Sequence, residues 1–197
     1  MNRLNLTALS AAMCFALSTG GAFAAMTKPE FKAEKDKIEA KYKEEKAACK
    51  AMTGNAKDVC IEEAKGHEKV AKAELDAQYK PSPRHDNDVR MTKAKAAYNV
   101  AKEKCDDKTG NDKDVCKKEA KAAYESSKGN AKVADAKEKS MADAGTVQTS
   151  KVADAKADAA KDKRDAAYAV AKEKCDAMKG DAKDACIKNA KAKYGHS

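Results

Sequence analysis

Three segments of the chain carry one pattern, and that pattern limits what it can fold into. The first runs Tyr42-KEEKAA-Cys49-KAMTGNAKDV-Cys60-IEE-Ala64-Lys65, the second Tyr98-NVAKEK-Cys105-DDKTGNDKDV-Cys116-KKE-Ala120-Lys121. The third runs Tyr168-AVAKEK-Cys175-DAMKGDAKDA-Cys186-IKN-Ala190-Lys191. Tyr, Cys, Gly, Asp, Cys, Ala and Lys recur at identical offsets, so the chain is built from a repeated unit. Tyr42, Tyr98 and Tyr168 each precede a cysteine by seven residues, two helical turns, which puts both on one helix face. In the second copy the seam extends through Met91, Ala94, Tyr98, Ala101 and Cys105. Tyr124 and Tyr194, each eight residues past the second cysteine of their copies, are expected to meet Tyr98 and Tyr168 below the cysteines. Glu68 takes that place in copy one.

The stretch between the cysteines reads as stop, turn and restart. Gly54, Gly110 and Gly180 lie five residues past the first cysteine and suit a left-handed helix end. Asn55, Asn111 and Asp181 follow as N-cap residues, and Asp58, Asp114 and Asp184 favour the positive end of a new helix. An unbroken helix would hold cysteines eleven residues apart at ~16 Å along its axis. A disulfide needs Cα atoms within ~7 Å. The turn allows Cys49–Cys60, Cys105–Cys116 and Cys175–Cys186 to pair locally, the favoured choice among fifteen formal connectivities. Zinc is the competing use of clustered cysteines, but it calls for short Cys spacings or several histidines. This chain has only His67, His85 and His196.

The need for such staples follows from composition. Beyond Ala25 the chain has nine Val, three Ile, Leu75 and Phe31, fourteen in 173 residues, or about 8%. That is below the ~20% under which disorder is expected. Alanine buries little area, while Ala, Lys and Glu favour helix. The fold class expected is all-α: tandem disulfide-stapled helical hairpins, as a loosely packed bundle or beads, with partly disordered linkers.

The first residues differ in kind. Arg3, an apolar run from Leu4 to Leu17, and Ala22-Phe23-Ala24 have the layout of a cleavable signal peptide, with cleavage after Ala24. A membrane anchor would need ~20 spanning residues, and lipidation at Cys14 would follow Met13 rather than a small residue. Periplasmic export is therefore expected, into a compartment that permits disulfides, with no transmembrane segment in the mature chain. The expected organisation is signal peptide 1–24, hairpin one 25–80, linker 81–90, hairpin two 91–128, a Cys-less helical or partly disordered connector 129–160, and hairpin three 161–197. Ala25–Pro29 and Gly195–Ser197 are expected to be loose tails.

Net charge constrains function weakly. The formal charge is +9, and removal of residues 1–24 takes away Arg3 and no acid, leaving +8. Bases and acids are interleaved, as on solvated helix faces, and the few aromatics do not form the stacking platform of a nucleic-acid binder. The histidines neighbour no Ser or Cys motif, and His67 is expected to pack half-buried. The acidic stretch Asp106–Asp114 lacks the order of a calcium loop. No cofactor motif is present.

The motif Y-x6-C-x4-G-[ND]-x-K-D-x-C-x3-A-K resembles that of uncharacterised Ala/Lys-rich, Cys-repeat periplasmic proteins of Gram-negative bacteria, often named TolA-like or cell-envelope proteins. Segments such as KVADAKADAAKDK are similar in composition to late-embryogenesis-type stress proteins. These resemblances transfer no site residues. With no catalytic constellation in the chain, the leading expectation is a non-enzymatic, exported periplasmic helical protein, coiled-coil-like, with a structural, interaction or envelope-stress role. The alternative reading is a salt-sensitive binding module for anionic envelope polymers or surfaces. The expected partner is accordingly an envelope protein or an anionic surface.

Overall fold

The computed structural model describes residues 26–142 and 149–196, and the signal-peptide reading lies outside them. Six α-helices follow one another: α1 Lys28–Ala48, α2 Gly54–Tyr79, α3 Pro83–Lys104, α4 Gly110–Ala142, α5 Thr149–Cys175 and α6 Gly180–Tyr194. Among the described residues there is no strand, and no helix is long and apolar enough to cross a membrane. Each helix packs mainly against its neighbours in the chain.

All three local disulfides form. Cα–Cα separations are 5.6 Å for Cys49–Cys60, 5.6 Å for Cys105–Cys116 and 5.7 Å for Cys175–Cys186. The first cysteine of each pair is almost fully buried, and Cys49, Cys105 and Cys175 are the largest side chains so enclosed. Around them the buried apolar positions are nearly all alanine, including the repeat-equivalent Ala64, Ala120 and Ala190. Cystine sulfur therefore stands where a larger protein places Leu or Phe.

The turns differ in detail from the stop-and-restart reading. Gly54, Gly110 and Gly180 do take positive φ, 59°, 54° and 55°. They open the second helix of each hairpin rather than close the first. In copies one and two the first helix ends at the cysteine, in a short 3-10 turn over Cys49–Ala51 or Cys105–Asp107. The residues at the N-cap of α2 and α6 are Thr53 and Lys179, without side-chain caps. Asn55, Asn111 and Asp181 are thus not N-caps. A left-handed backbone suits glycine because other residues bring Cβ against the carbonyl.

Other boundaries also shift. Residues 83–90 are the start of α3 rather than linker, because Ser82 accepts a hydrogen bond from the His85 amide and Pro83 occupies the first turn. Thr27 and Glu30 form a capping box, so the N-terminal tail is helical from Lys28. At the other end Gly195 caps α6 in the left-handed region, φ 70°, and His196 folds back onto Tyr168. The connector is a Cys-less helical hairpin formed by the far ends of α4 and α5; residues 143–148 lie outside the described residues.

The hairpins are joined to one another, not strung as beads. α2 lies antiparallel to α3, and ion pairs connect Glu63 to Lys104 at 3.0 Å and Glu74 to Lys93 at 2.6 Å. α4 and α5 repeat the arrangement with Glu119–Lys174 at 2.7 Å and Lys132–Asp162 at 3.7 Å. Closest approach falls at glycine: a Cβ on Gly66 would stand 3.1 Å from the Ala96 Cβ, and one on Gly129 only 2.8 Å from that of Ala159. Gly66 is six residues past Cys60 and Gly129 thirteen past Cys116, a difference of one heptad. α4 runs to the edge of the described residues at Ala142 and is at least seven residues longer than α2. Adding a heptad preserves the inward face of an α-helix packed in this way, so the second junction is longer without a change of register.

Two outcomes test this account. Replacing Cys105 and Cys116 by serine is expected to cost about 3 kcal/mol, the loop-closure value, read from denaturant unfolding followed by circular dichroism; unchanged stability contradicts a cystine-dependent core. Gly129→Ala should destabilise by about 1–3 kcal/mol through overpacking despite alanine's roughly 1 kcal/mol advantage in helix. Gly66→Ala, with its looser contact, should come out near neutral.

Candidate interaction surface

The face between α2 and α3, flanked by α1, is an open groove of about 640 Å³. Val70, Ala71, Ala96 and Val100 make its apolar floor. Small residues there follow from the close helix approach at Gly66 and leave the floor flat. Its charged rim is internally matched: Lys104 meets Glu63, and Glu45 meets His67 at 3.1 Å and Lys41 at 3.8 Å. Glu74 on the same rim is held by Lys93.

The same face reappears between α4 and α5, one heptad further from the staple, as a groove of about 390 Å³. Val133 and Ala134 hold the heptad positions of Val70 and Ala71, and Ala159 that of Ala96. The rim differs. Lys137 replaces the rim residue Glu74, and Lys163 stands where the first groove has the floor residue Val100, with Lys156 beside them. Among the described residues, none of these three lysines lies within 4.0 Å of a carboxylate. One groove is neutral and apolar, the other apolar and basic.

Net charge divides the same way. Residues 25–80 carry 13 bases and 12 acids, 13 − 12 = +1, whereas residues 81–197 carry 27 and 20, 27 − 20 = +7.

The tyrosines are half-buried packing residues. Tyr98 and Tyr124 stack at 5.1 Å between centroids, as expected, and Lys95 lies 4.9 Å from the Tyr98 ring. The counterpart pairing of Tyr168 with Tyr194 does not form. Tyr168 stacks on His196 at 4.1 Å, because the Gly195 cap turns the chain back over it. In copy one Tyr42 has no ring partner among the described residues; Phe31 and Tyr79 stack instead at the other end of that hairpin, at 4.4 Å. His67 is not half-buried. Its side chain is 68% exposed and stands on the groove rim beside Glu45. His85 is a helical residue whose Nδ1 contacts the Lys80 carbonyl.

Asn55 and Asn111 have a role that local spacing did not reveal. The Asn55 amide donates to the backbone carbonyl of Glu103 at 2.9 Å, and Asn111 donates to that of Glu173 at 2.9 Å. Each asparagine therefore ties its own turn to the first arm of the next hairpin, and the stapled turns sit side by side at one end of the molecule. The acidic stretch beside them is also structural. Asp106 contacts Lys113 and Lys117, each at 3.0 Å, and the equivalent Asp176 contacts Lys183 at 2.7 Å. Copy one has Lys50 in that place.

Among the described residues no group of three or more His, Cys, Asp or Glu is arranged to hold a metal. The architecture defines a class: a short array of disulfide-stapled helical hairpins with grooved faces. Comparison with protein-family models, characterised proteins and solved structures finds no match to this chain.

The ion pairs give a pH dependence. Hydrogen bonds from Lys117 and Lys113 hold Asp106 below its ordinary value; Lys183 does the same for Asp176, and Lys121 with Lys128 for Glu125. A lowered folded pKa gives stability above the unfolded value that is lost as pH falls through the folded one. The thermal midpoint is therefore expected to fall on acidification below the usual carboxylate range, and by less in high salt. A midpoint that rises there would contradict these pairings.

Proposed function

We propose that the chain is a non-enzymatic, exported periplasmic protein with a structural or interaction role in the cell envelope. The observation that carries this reading is the open apolar groove over α2 and α3, held on a scaffold of stapled hairpins. Its floor is small and apolar, and the charges along its rim largely neutralise one another. Such a surface suits a helical segment of another protein, which would lie along the groove and bury its apolar face. The local disulfides support an oxidising compartment, and the layout of the first 24 residues supports export through a cleaved signal.

A second reading has its own support. The charge of +7 on residues 81–197 and the lysine-rimmed α4–α5 groove favour an anionic envelope polymer or surface. Attraction of this kind is screened by salt, whereas apolar docking is much less so.

One experiment separates the two. The disulfide-intact mature chain is immobilised and exposed to an envelope extract, and separately to anionic lipid vesicles and lipopolysaccharide, at low and high salt. On the first reading, an envelope protein is retained at high salt and lost with Val70→Lys, which places a charge on the apolar floor outside the set of residues that joins the hairpins beside the staples. On the second, vesicles or lipopolysaccharide are retained only at low salt, and Lys137→Glu with Lys163→Glu abolishes retention. Retention of neither partner would overturn both.

A further inference from the structure

The junction between neighbouring hairpins is written by a small set of residues close to the staples, and the set occurs twice. On the leading hairpin it consists of an asparagine five residues before the second cysteine, a valine immediately before that cysteine and a glutamate three residues after it. These are Asn55, Val59 and Glu63 at the first junction, and Asn111, Val115 and Glu119 at the second. They are spaced four apart and so share one helix face. On the following hairpin the set consists of the carbonyl two residues before the first cysteine, a lysine immediately before it and a valine five before it. Val100 and Lys104 supply the side chains at the first junction, Val170 and Lys174 at the second. Both asparagine hydrogen bonds measure 2.9 Å, and the glutamate–lysine pairs 3.0 and 2.7 Å. All four valines are half-buried.

The two outer edges of the array carry none of these side chains. At the C-terminal edge Asp181 replaces the asparagine and cannot donate when ionised. Ala185 replaces the valine and Asn189 the glutamate, and all three are exposed. At the N-terminal edge Glu44 replaces the valine and Ala48 the lysine, again exposed. Every substitution removes a donor, a charge partner or apolar bulk, or places a carboxylate where apolar contact is needed. Arrays of stacked repeats need terminal units with polar outer faces to stay soluble.

We propose that these substitutions seal both edges, so that the chain is a finite array of three hairpins closed to head-to-tail stacking with its own copies. The contact they prevent would be heterologous, joining the α6 edge of one copy to the α1 edge of the next, and would propagate if formed. The short α6 does not supply the seal by itself. The junction residues lie before position 190, within its 15 residues.

The test uses the full mature chain with disulfides intact. The wild type is expected to sediment as a monomer. Asp181→Asn, Ala185→Val and Asn189→Glu open the C-terminal edge; Glu44→Val and Ala48→Lys open the N-terminal edge. Mixing a C-edge variant with an N-edge variant should give a one-to-one complex, and a variant opened at both edges should give a ladder of head-to-tail oligomers. The reverse transplant, Asn111→Asp with Val115→Ala and Glu119→Asn, should speed hydrogen exchange in α5 and α6 while leaving all three disulfides in place. Opened variants that keep native circular dichroism and remain monomeric overturn the proposal. So does a wild type that stacks through α1 and α6, or a transplant whose α5 and α6 exchange as slowly as in the wild type.

Discussion

Cystine does in this molecule what a hydrophobic core does elsewhere. A helical hairpin with an alanine interior gains little on burial, while each ordered residue costs about 1–2 kcal/mol of backbone entropy. The staple acts on the other side of that balance by restricting the unfolded chain. It also adds bulk in the folded state, since Cys49, Cys105 and Cys175 are the largest fully enclosed side chains among the described residues. Once helix ends are fixed at the staple, the remaining choices narrow. Alanine and glycine permit close helix approach, and close approach makes neighbouring hairpins share a flat, shallow-floored surface.

Much of this was legible in the repeated motif. Equal Cys spacing around a central glycine fixed a local disulfide, and Gly54, Gly110 and Gly180 have the positive φ that spacing implied. The seam from Tyr98 to Cys105 placed the Tyr98–Tyr124 stack. Asn55 and Asn111 were harder to read, because their acceptors lie 48 and 62 residues away. An asparagine after a glycine looks locally like a cap, and only the neighbouring hairpin gives it another task. A signal did exist: the same residue type at the two internal turns and a different one at the last.

The start of α3 was hidden for another reason. Residues 80–90 contain two prolines, a histidine, two aspartates and three bases, without apolar periodicity. Helix there is set by Ser82 as a cap and Pro83 in the first turn, with α2 and α4 packed alongside. The Tyr168–His196 stack depends on the left-handed backbone of Gly195, which redirects the last residues. The grooves were not readable at all, because a floor of Val and Ala becomes a surface feature only when two helices lie side by side.

The arrangement separates two kinds of linkage. Within a hairpin a covalent, local staple closes a loop between cysteines eleven residues apart, and noncovalent contacts such as the Tyr98–Tyr124 stack and the Arg90–Glu138 ion pair add to it further along the arms. Between hairpins the tie is noncovalent: an asparagine hydrogen bond, an ion pair and small apolar contacts beside each staple. The staple responds to redox conditions and hardly to salt, whereas the ion pairs, within a hairpin as at Asp106 and between hairpins as at Glu63 and Glu119, respond to salt and only indirectly to thiols. Because each helix packs mainly on its chain neighbours, loss of one junction need not unfold the hairpins beside it, as expected of a nearest-neighbour array. The α2–α3 and α4–α5 grooves both lie at junctions, so a ligand seated in either would bind two hairpins at once. It would then strengthen the weaker, noncovalent class of linkage by mass action, and groove occupancy would be coupled to the rigidity of the whole array.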